Sequence, residues 1–271
     1  MVGRRSGPRR IRAFDAVPGS RALGDRAESM ELAAVPGLGR WLIAAYRPTA
    51  LFSLKISLAT SSVGKSLVVP TPYSIKMALV DAGFRVGWPD ADCAAFLRSL
   101  VGVEVRVAPP KAACVTHTFV RVRQESRDAD PLRPYTASIA YREVVHHHGL
   151  WRWAFDLAGG DETLGSHIVS LAPHVAYIGK RGSFVQFVGF SRAFTLGVDF
   201  TQPVRAQESM TLPPRAHIVP LDDLGPEAEL DVLSSYTARR PKRDRHRRVV
   251  ETIVPLGLVN TGPGFSEYRL E

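Results

Sequence analysis

The first recurrent apolar pattern in the chain is Trp41-Leu42-Ile43-Ala44-Ala45-Tyr46, a short run that reads as a strand and opens the folded body. A second strand-like stretch covers residues 50–58 and leads into the polar tip Thr60-Ser61-Ser62-Val63-Gly64-Lys65-Ser66. Thr71-Pro72 then has the form of a helix start, a hydroxyl N-cap followed by proline at the first helical position. Ile75, Leu79 and Ala82 follow at helical spacing, and Gly83 is expected to end that helix. Asp90 starts a second, shorter helix that runs to Leu100. Residues 101–107 and 113–123 are rich in β-formers, and residues 150–157 alternate, with Trp151, Trp153, Phe155 and Leu157 on one face. Leu164, Ile168 and Leu171 form the apolar stripe of another helix over residues 161–171, and residues 184–190 read as a last strand. The order strand, helix, strands, helix, strand fits an α+β, ferredoxin-like βαββαβ unit with insertions over residues 39–190. Beyond Ser191 the pattern breaks into short, proline-punctuated strands, expected to form a smaller β-rich C-terminal domain over residues 191–271. Residues 1–38 keep no period and read as a flexible basic extension, within which Met30 competes with Met1 as the start of the protein.

With 45% hydrophobic and 23% charged residues, the 271-residue chain has a globular composition. Its longest clean apolar run is far below the roughly 20 residues of a membrane span, so no transmembrane helix is expected. The two cysteines, Cys93 and Cys114, form no C-x-x-C pair, which argues against a disulfide framework or a cysteine zinc site and for a reducing, cytoplasmic home. Charge changes the picture more. Of the net +9, residues 1–29 hold +4 and residues 239–248 hold +6, so two basic segments flank a nearly neutral body. That distribution points to a polyanionic partner.

Four patterns bear on chemistry. Ala59-Thr60-Ser61-Ser62-Val63-Gly64-Lys65-Ser66 fits a relaxed phosphate-binding loop, but such a loop needs a helix opening at its Lys-Ser end. Leu67-Val68-Val69-Pro70-Thr71-Pro72 follows instead, and both prolines hold their predecessors extended. His146-His147-His148 resembles a metal motif, yet consecutive side chains on a strand point to opposite faces, so no metal site and no cofactor is expected. No Gly-x-Ser-x-Gly elbow supports a nucleophilic triad. The stretch 113–123 is more informative, since alternation puts His117, Phe119, Arg121 and Arg123 on one face, with Val120 and Val122 on the other. An aromatic between a histidine and arginines suits the stacking of bases and the contacting of phosphates.

Taken in order, four segments resemble the RAMP proteins of CRISPR effector complexes, and within them the Cas-five-type subunit of Cascade. The first is an opening strand, Phe52-Ser53 and a polar tip running into Val69-Pro70-Thr71-Pro72-Tyr73-Ser74; the second is Tyr141-Arg142-Glu143-Val144-Val145. The third is the helix from Leu164 to Leu171 ahead of Pro173, and the fourth is Tyr177-Ile178-Gly179-Lys180-Arg181-Gly182. The similarity spans roughly residues 40–190 and excludes the basic tails. It implies an RRM-like fold with an inserted thumb-like hairpin, placed at residues 59–70. It also implies a role in antiviral defence as a ribonucleoprotein subunit that holds the 5′ handle of the CRISPR RNA. The partners implied are backbone RAMP subunits and the large Cascade subunit, with target DNA nearby and no membrane.

The candidate RNA contacts are Lys65, Tyr73 and Lys76 around the tip and helix start, then His117, Phe119, Arg121 and Arg123 on the strand face. Arg142 in the second segment, Lys180 and Arg181 in the glycine-flanked turn, and Arg243 and Arg245 in the basic run complete them. Gly179 and Gly182 would let backbone amides approach a phosphate beside those cations. The alternative expectation is a metal-independent endoribonuclease processing precursor CRISPR RNA, with Tyr46, Lys111 and His117 supplying base and cation.

Overall fold

The computed structural model describes residues 39–55, 65–125, 134–158, 162–205, 213, 215–234 and 237–270. Its first sheet is built from β1 (Trp41–Pro48), β2 (Val105–Ala108), β5 (Trp151–Asp156) and β6 (Val185–Ala193) in the order β2-β5-β1-β6. Every neighbouring pair in that sheet is antiparallel. Helix α1 (Pro72–Arg85) follows the first strand and α3 (Glu162–Leu171) connects β5 to β6. This is the ferredoxin-like arrangement, with α2 (Asp90–Leu100) added after α1.

Local chemistry accounts for these elements. The Thr71 hydroxyl accepts a hydrogen bond from the Ser74 amide at 3.1 Å, and the Thr71 amide donates to the Ser74 hydroxyl at 3.0 Å, a reciprocal cap with Pro72 just inside it. Ile75, Leu79 and Ala82 are buried, as their spacing demands. Gly83 does not end the helix, which continues to Arg85. A Cβ on Gly83 would stand 3.3 Å from Cys93 Sγ and 3.4 Å from the Trp88 ring, so close packing is what the glycine serves. In the sheet, Tyr46 stacks on Trp153 at 3.9 Å between ring centroids, and Leu42, Phe155, Leu97, Ile168 and Leu171 fill the space up to the helices.

The expected strand over residues 50–58 is replaced, where it is described, by single bridges, Phe52 with Val145 and Lys55 with Ser66. Residues 56–64, which hold half of the expected thumb and most of the relaxed phosphate-loop motif, lie outside the described residues. The described end of that segment does not protrude, because Leu67, Val68 and Val69 are buried. The long hairpin lies elsewhere. Strands β3 (Ala112–Glu125) and β4 (Tyr135–His148) are inserted between β2 and β5, and each of their 14 residues is paired with the other strand.

The C-terminal strands complete two further sheets. β10 (Gly257–Gly262) and β11 (Phe265–Arg269) extend the hairpin in the order β10-β11-β3-β4, with β11 pairing only Ala112 to Thr116 of β3. Beyond that point the hairpin is two-stranded among the described residues. β7 (Gln202–Pro203), β8 (His217–Leu224) and β9 (Arg247–Val254) form a three-stranded sheet, and the short helix α4 (Leu230–Leu233) follows β8. Leu221, Leu224, Leu233, Val254 and Leu256 belong to the same buried cluster as the ferredoxin-like core. No helix among the described residues is long and apolar enough to cross a membrane.

Candidate nucleic-acid interface

Register on the hairpin sets the composition of its faces. His117 pairs with Glu143, Phe119 with Tyr141, Arg121 with Ile139 and Arg123 with Ala137, so these eight side chains share one face. At the base of the hairpin that face is buried through Ala113, Val115, Val145 and His147. Past β11 it emerges into solvent, where Phe119 is 73% exposed, Ile139 72% and Tyr135 60%. Arg121 and Arg123 are exposed between them, whereas Val120 and Val122 on the other face are half-buried. Phe119 meets Tyr141 edge-on at 5.1 Å. The Tyr141 hydroxyl is hydrogen-bonded to His117 Nδ1, and His117 Nε2 lies 3.7 Å from Glu143 Oε1.

Glu143 anchors a junction of segments that are remote in sequence. Its buried carboxylate accepts a hydrogen bond from the Ser66 amide at 2.8 Å, and its carbonyl accepts one from the Ser53 hydroxyl at 3.1 Å. The Ser53 amide donates to the Ser183 hydroxyl at 3.3 Å, which brings in the glycine-flanked turn. That turn is closed by the Ser183 amide on the Lys180 carbonyl and the Ile178 amide on the Ser183 carbonyl, both at 3.1 Å. Gly179 has φ +66° and Gly182 φ +101°, and a Cβ on Gly179 would stand 2.8 Å from Leu54 Cδ1. Glycine at 179 therefore answers both a left-handed backbone and a close approach. Lys65, Lys180 and Arg181 are exposed around the junction. Three of the four segments that carry the family resemblance thus meet in space.

Several expected site residues are elsewhere. Lys76 is 0% exposed and forms an ion pair with Asp223 at 2.6 Å, so it is a core cation and not an RNA contact. Burial lowers its pKa, against the opposing pull of Asp223. One face of the Tyr73 ring is covered by the Arg247 guanidinium at 4.3 Å. Arg142 pairs with Thr118, on the hairpin face opposite His117 and Phe119.

The set Tyr46, Lys111 and His117 does not assemble into a catalytic site. Tyr46 is buried, its hydroxyl donates to the Ala172 carbonyl at 2.8 Å, and desolvation pushes its pKa above the ordinary phenolic range. Lys111 precedes β3 by one residue and His117 is six residues further along an extended chain, a separation of about 20 Å.

The basic run is divided. Arg247 and Arg248 enter β9 and neutralise the buried Asp222 and Asp223 at 2.5 and 2.9 Å, while Arg245 pairs with Glu227 on the surface at 2.5 Å. Arg243 is exposed, with Asp244 beside it at 3.9 Å.

Tyr135 and Ile139 are not marked by the sequence, and Tyr141 and Glu143 enter there only as part of the second resemblance segment, with no role of their own. Their spacing of two over residues 135–143 was the available signal, and only the pairing with β3 reveals it as one face.

No protein-family model matches the chain, and no curated protein matches it in sequence. Among solved structures, the crystal structure of a CRISPR protein from Archaeoglobus fulgidus is similar to it at 10% sequence identity and a TM-score of 0.40, covering 85% of this chain and 92% of that chain.

Proposed function

We propose that this chain is an RNA-binding subunit of a CRISPR interference complex, holding the 5′ handle of the guide RNA and capping the backbone RAMP subunits. The observation that carries RNA binding is the exposed face of the hairpin, where Phe119, Tyr135, Ile139 and Tyr141 alternate with His117, Arg121 and Arg123. Leaving such rings in water is unfavourable unless something covers them, and bases stacking on the rings while phosphates meet the arginines is the cover that this mixture suits. The handle and the CRISPR assignment rest on the four-segment resemblance. Its support is that segments from residues 52–55, 65–66, 143–145 and 177–184 form one junction bearing Lys65, Lys180 and Arg181.

Fluorescence anisotropy with a labelled CRISPR repeat RNA tests the reading. Binding should weaken with salt along a log–log line, at about 0.7 of slope per phosphate contact on a single strand. A scrambled RNA of equal length should bind less tightly to the assembled complex. Equal affinity for both would remove handle recognition and leave a general RNA binder.

A second reading, RNA cleavage, is favoured by one observation alone, the His117 imidazole held between the Tyr141 hydroxyl and the Glu143 carboxylate. Incubation of repeat RNA with the protein in EDTA decides it: a product that disappears with His117→Ala makes His117 a general acid or base.

A further inference from the structure

Acidic residues are missing from two long stretches of the chain. Residues 32–80 and 163–198 together contain eight lysines and arginines and no Asp or Glu. Three of the eight are engaged by the fold. Arg40 pairs with Asp156 at 2.6 Å, Lys76 pairs with Asp223 at 2.6 Å, and Arg192 donates to the Gly39 carbonyl at 3.4 Å. The other five, Arg47, Lys55, Lys65, Lys180 and Arg181, are exposed and have no carboxylate partner among the described residues. Backbone and side-chain contacts join their segments into one strip. Lys55 bridges Ser66, the Ser53 amide donates to the Ser183 hydroxyl, the Thr49 amide donates to the Phe184 carbonyl at 3.0 Å, and Arg47 pairs with Gln186. Glu143, the carboxylate at the junction, is buried and already accepts from the Ser66 amide at 2.8 Å.

Phe184 lies within this strip, directly after the glycine-flanked turn. It is 53% exposed, and its ring meets no other ring among the described residues. Alternation puts Phe184 and Gln186 opposite the buried Val185, and register puts Arg47 beside Gln186, so ring, amide and guanidinium share one face. A single exposed ring carries no meaning by itself. A ring among five unpaired cations, on segments without an acid, has the composition of a base-stacking platform with phosphate contacts around it. An added β-strand does not fit at this point. The Phe184 carbonyl is taken by the Thr49 amide, and the Val185 amide is taken by the Ala176 carbonyl at 3.0 Å.

We propose that Phe184 and Arg47 form a further nucleotide site, where a base of a single-stranded RNA stacks on the Phe184 ring and the adjoining phosphate meets Arg47. The proposal rests on the RNA-binding reading and adds to it a binding position outside the hairpin face. Lys55, Lys65, Lys180 and Arg181 then carry the backbone of the same strand toward that position.

The test uses the full chain and the labelled repeat RNA. Phe184→Ala should bind it at least about fivefold more weakly, while the melting temperature holds because the ring is at the surface. Arg47→Gln should lower the log–log salt slope by about 0.7. Phe184→Trp keeps a stacking ring and adds a fluorophore to the four native tryptophans, and its difference emission from the wild type should be quenched by RNA. In a series of repeat RNAs with one abasic nucleotide stepped along the chain, the wild type should lose affinity at several positions, and Phe184→Ala should erase the loss at one of them. Wild-type affinity in Phe184→Ala with no quenching in Phe184→Trp overturns the proposal and leaves the hairpin reading standing. A weaker Phe184→Ala whose abasic losses match those of the wild type also overturns it, since the ring then acts only through the fold. A wild type that binds no RNA overturns the RNA-binding reading itself, and this site with it.

Discussion

Lys76 and Asp223 show how a cation in a basic chain can belong wholly to the fold. The Asp223 carboxylate accepts from Lys76 at 2.6 Å, from Arg248 at 2.9 Å and from the Leu224 amide at 2.8 Å, tying α1 to β8 and β9. The two halves of the pair are not equivalent. Asp223→Asn leaves Lys76 buried without an anion and should cost about 3–5 kcal/mol. Lys76→Met leaves Asp223 with Arg248 and the amide and should cost less than half of that, as urea denaturation of the two variants will show. His147 supplies a second residue-scale prediction. Desolvation pulls its pKa down to about 4, although its Nε2 is bonded to the Val68 carbonyl at 2.8 Å. The folded state therefore keeps the ring neutral while the unfolded chain protonates near its ordinary value of about 6.5. Its contribution is complete above that value and is lost as pH falls toward 4. Between pH 7 and 4.5 the wild type should lose about 2–3 kcal/mol more stability than His147→Gln, whose amide can keep the Val68 bond.

At the scale of elements, the hairpin formed by β3 and β4 carries the proposed RNA-binding face. Beyond Thr116 it has no third strand among the described residues, and its outward face holds Phe119, Ile139 and Tyr135 in solvent. Replacing residues 120–140 by a short glycine-rich turn should therefore shift the melting temperature by no more than about 2 °C. It should weaken RNA binding at least about tenfold, since each stacked base contributes roughly 1–3 kcal/mol. A large loss of stability with unchanged RNA affinity would assign the hairpin to the core instead. Most of the ferredoxin-like unit was legible before the structure, because α1 announces itself by its Thr71-Pro72 cap, α3 by the stripe of Leu164, Ile168 and Leu171, and β5 by its alternating tryptophans. The hairpin was not legible as one. The outer half of β4 reads Tyr135-Thr136-Ala137-Ser138-Ile139-Ala140, too small and polar to mark a strand without its partner. The stretch after Pro48 failed for a different reason: Phe52 and Lys55 bridge to two different partners, so their local β-propensity never becomes a ladder.

Across the whole molecule, the charge count alone does not say which cations are left unpaired. The densest run, residues 239–248, supplies Arg247 and Arg248 to the buried Asp222 and Asp223, and Arg245 to Glu227. Arg121, Arg123, Lys180 and Arg181 are sparse in sequence yet exposed around the aromatic face and the glycine-flanked turn. A cation already paired with a carboxylate releases no counterion when a phosphate approaches, so the second group should contribute more to the salt dependence of RNA binding than Arg245, Arg247 and Arg248. Changing Arg121, Arg123, Lys180 and Arg181 to Gln should flatten the log-affinity against log-salt slope by up to about 3, near 0.7 per lost contact on a single strand. The melting temperature should stay near that of the wild type, because these side chains are at the surface. Changing Arg247 and Arg248 to Gln should do the opposite. It removes the Arg247 ion pair of Asp222 and the Arg248 ion pair of Asp223, lowering the melting temperature, while the slope measured on the fraction that remains folded stays at the wild-type value. If the second pair flattens the slope and the first four do not, the RNA runs over the C-terminal sheet, and the hairpin face belongs to a protein partner.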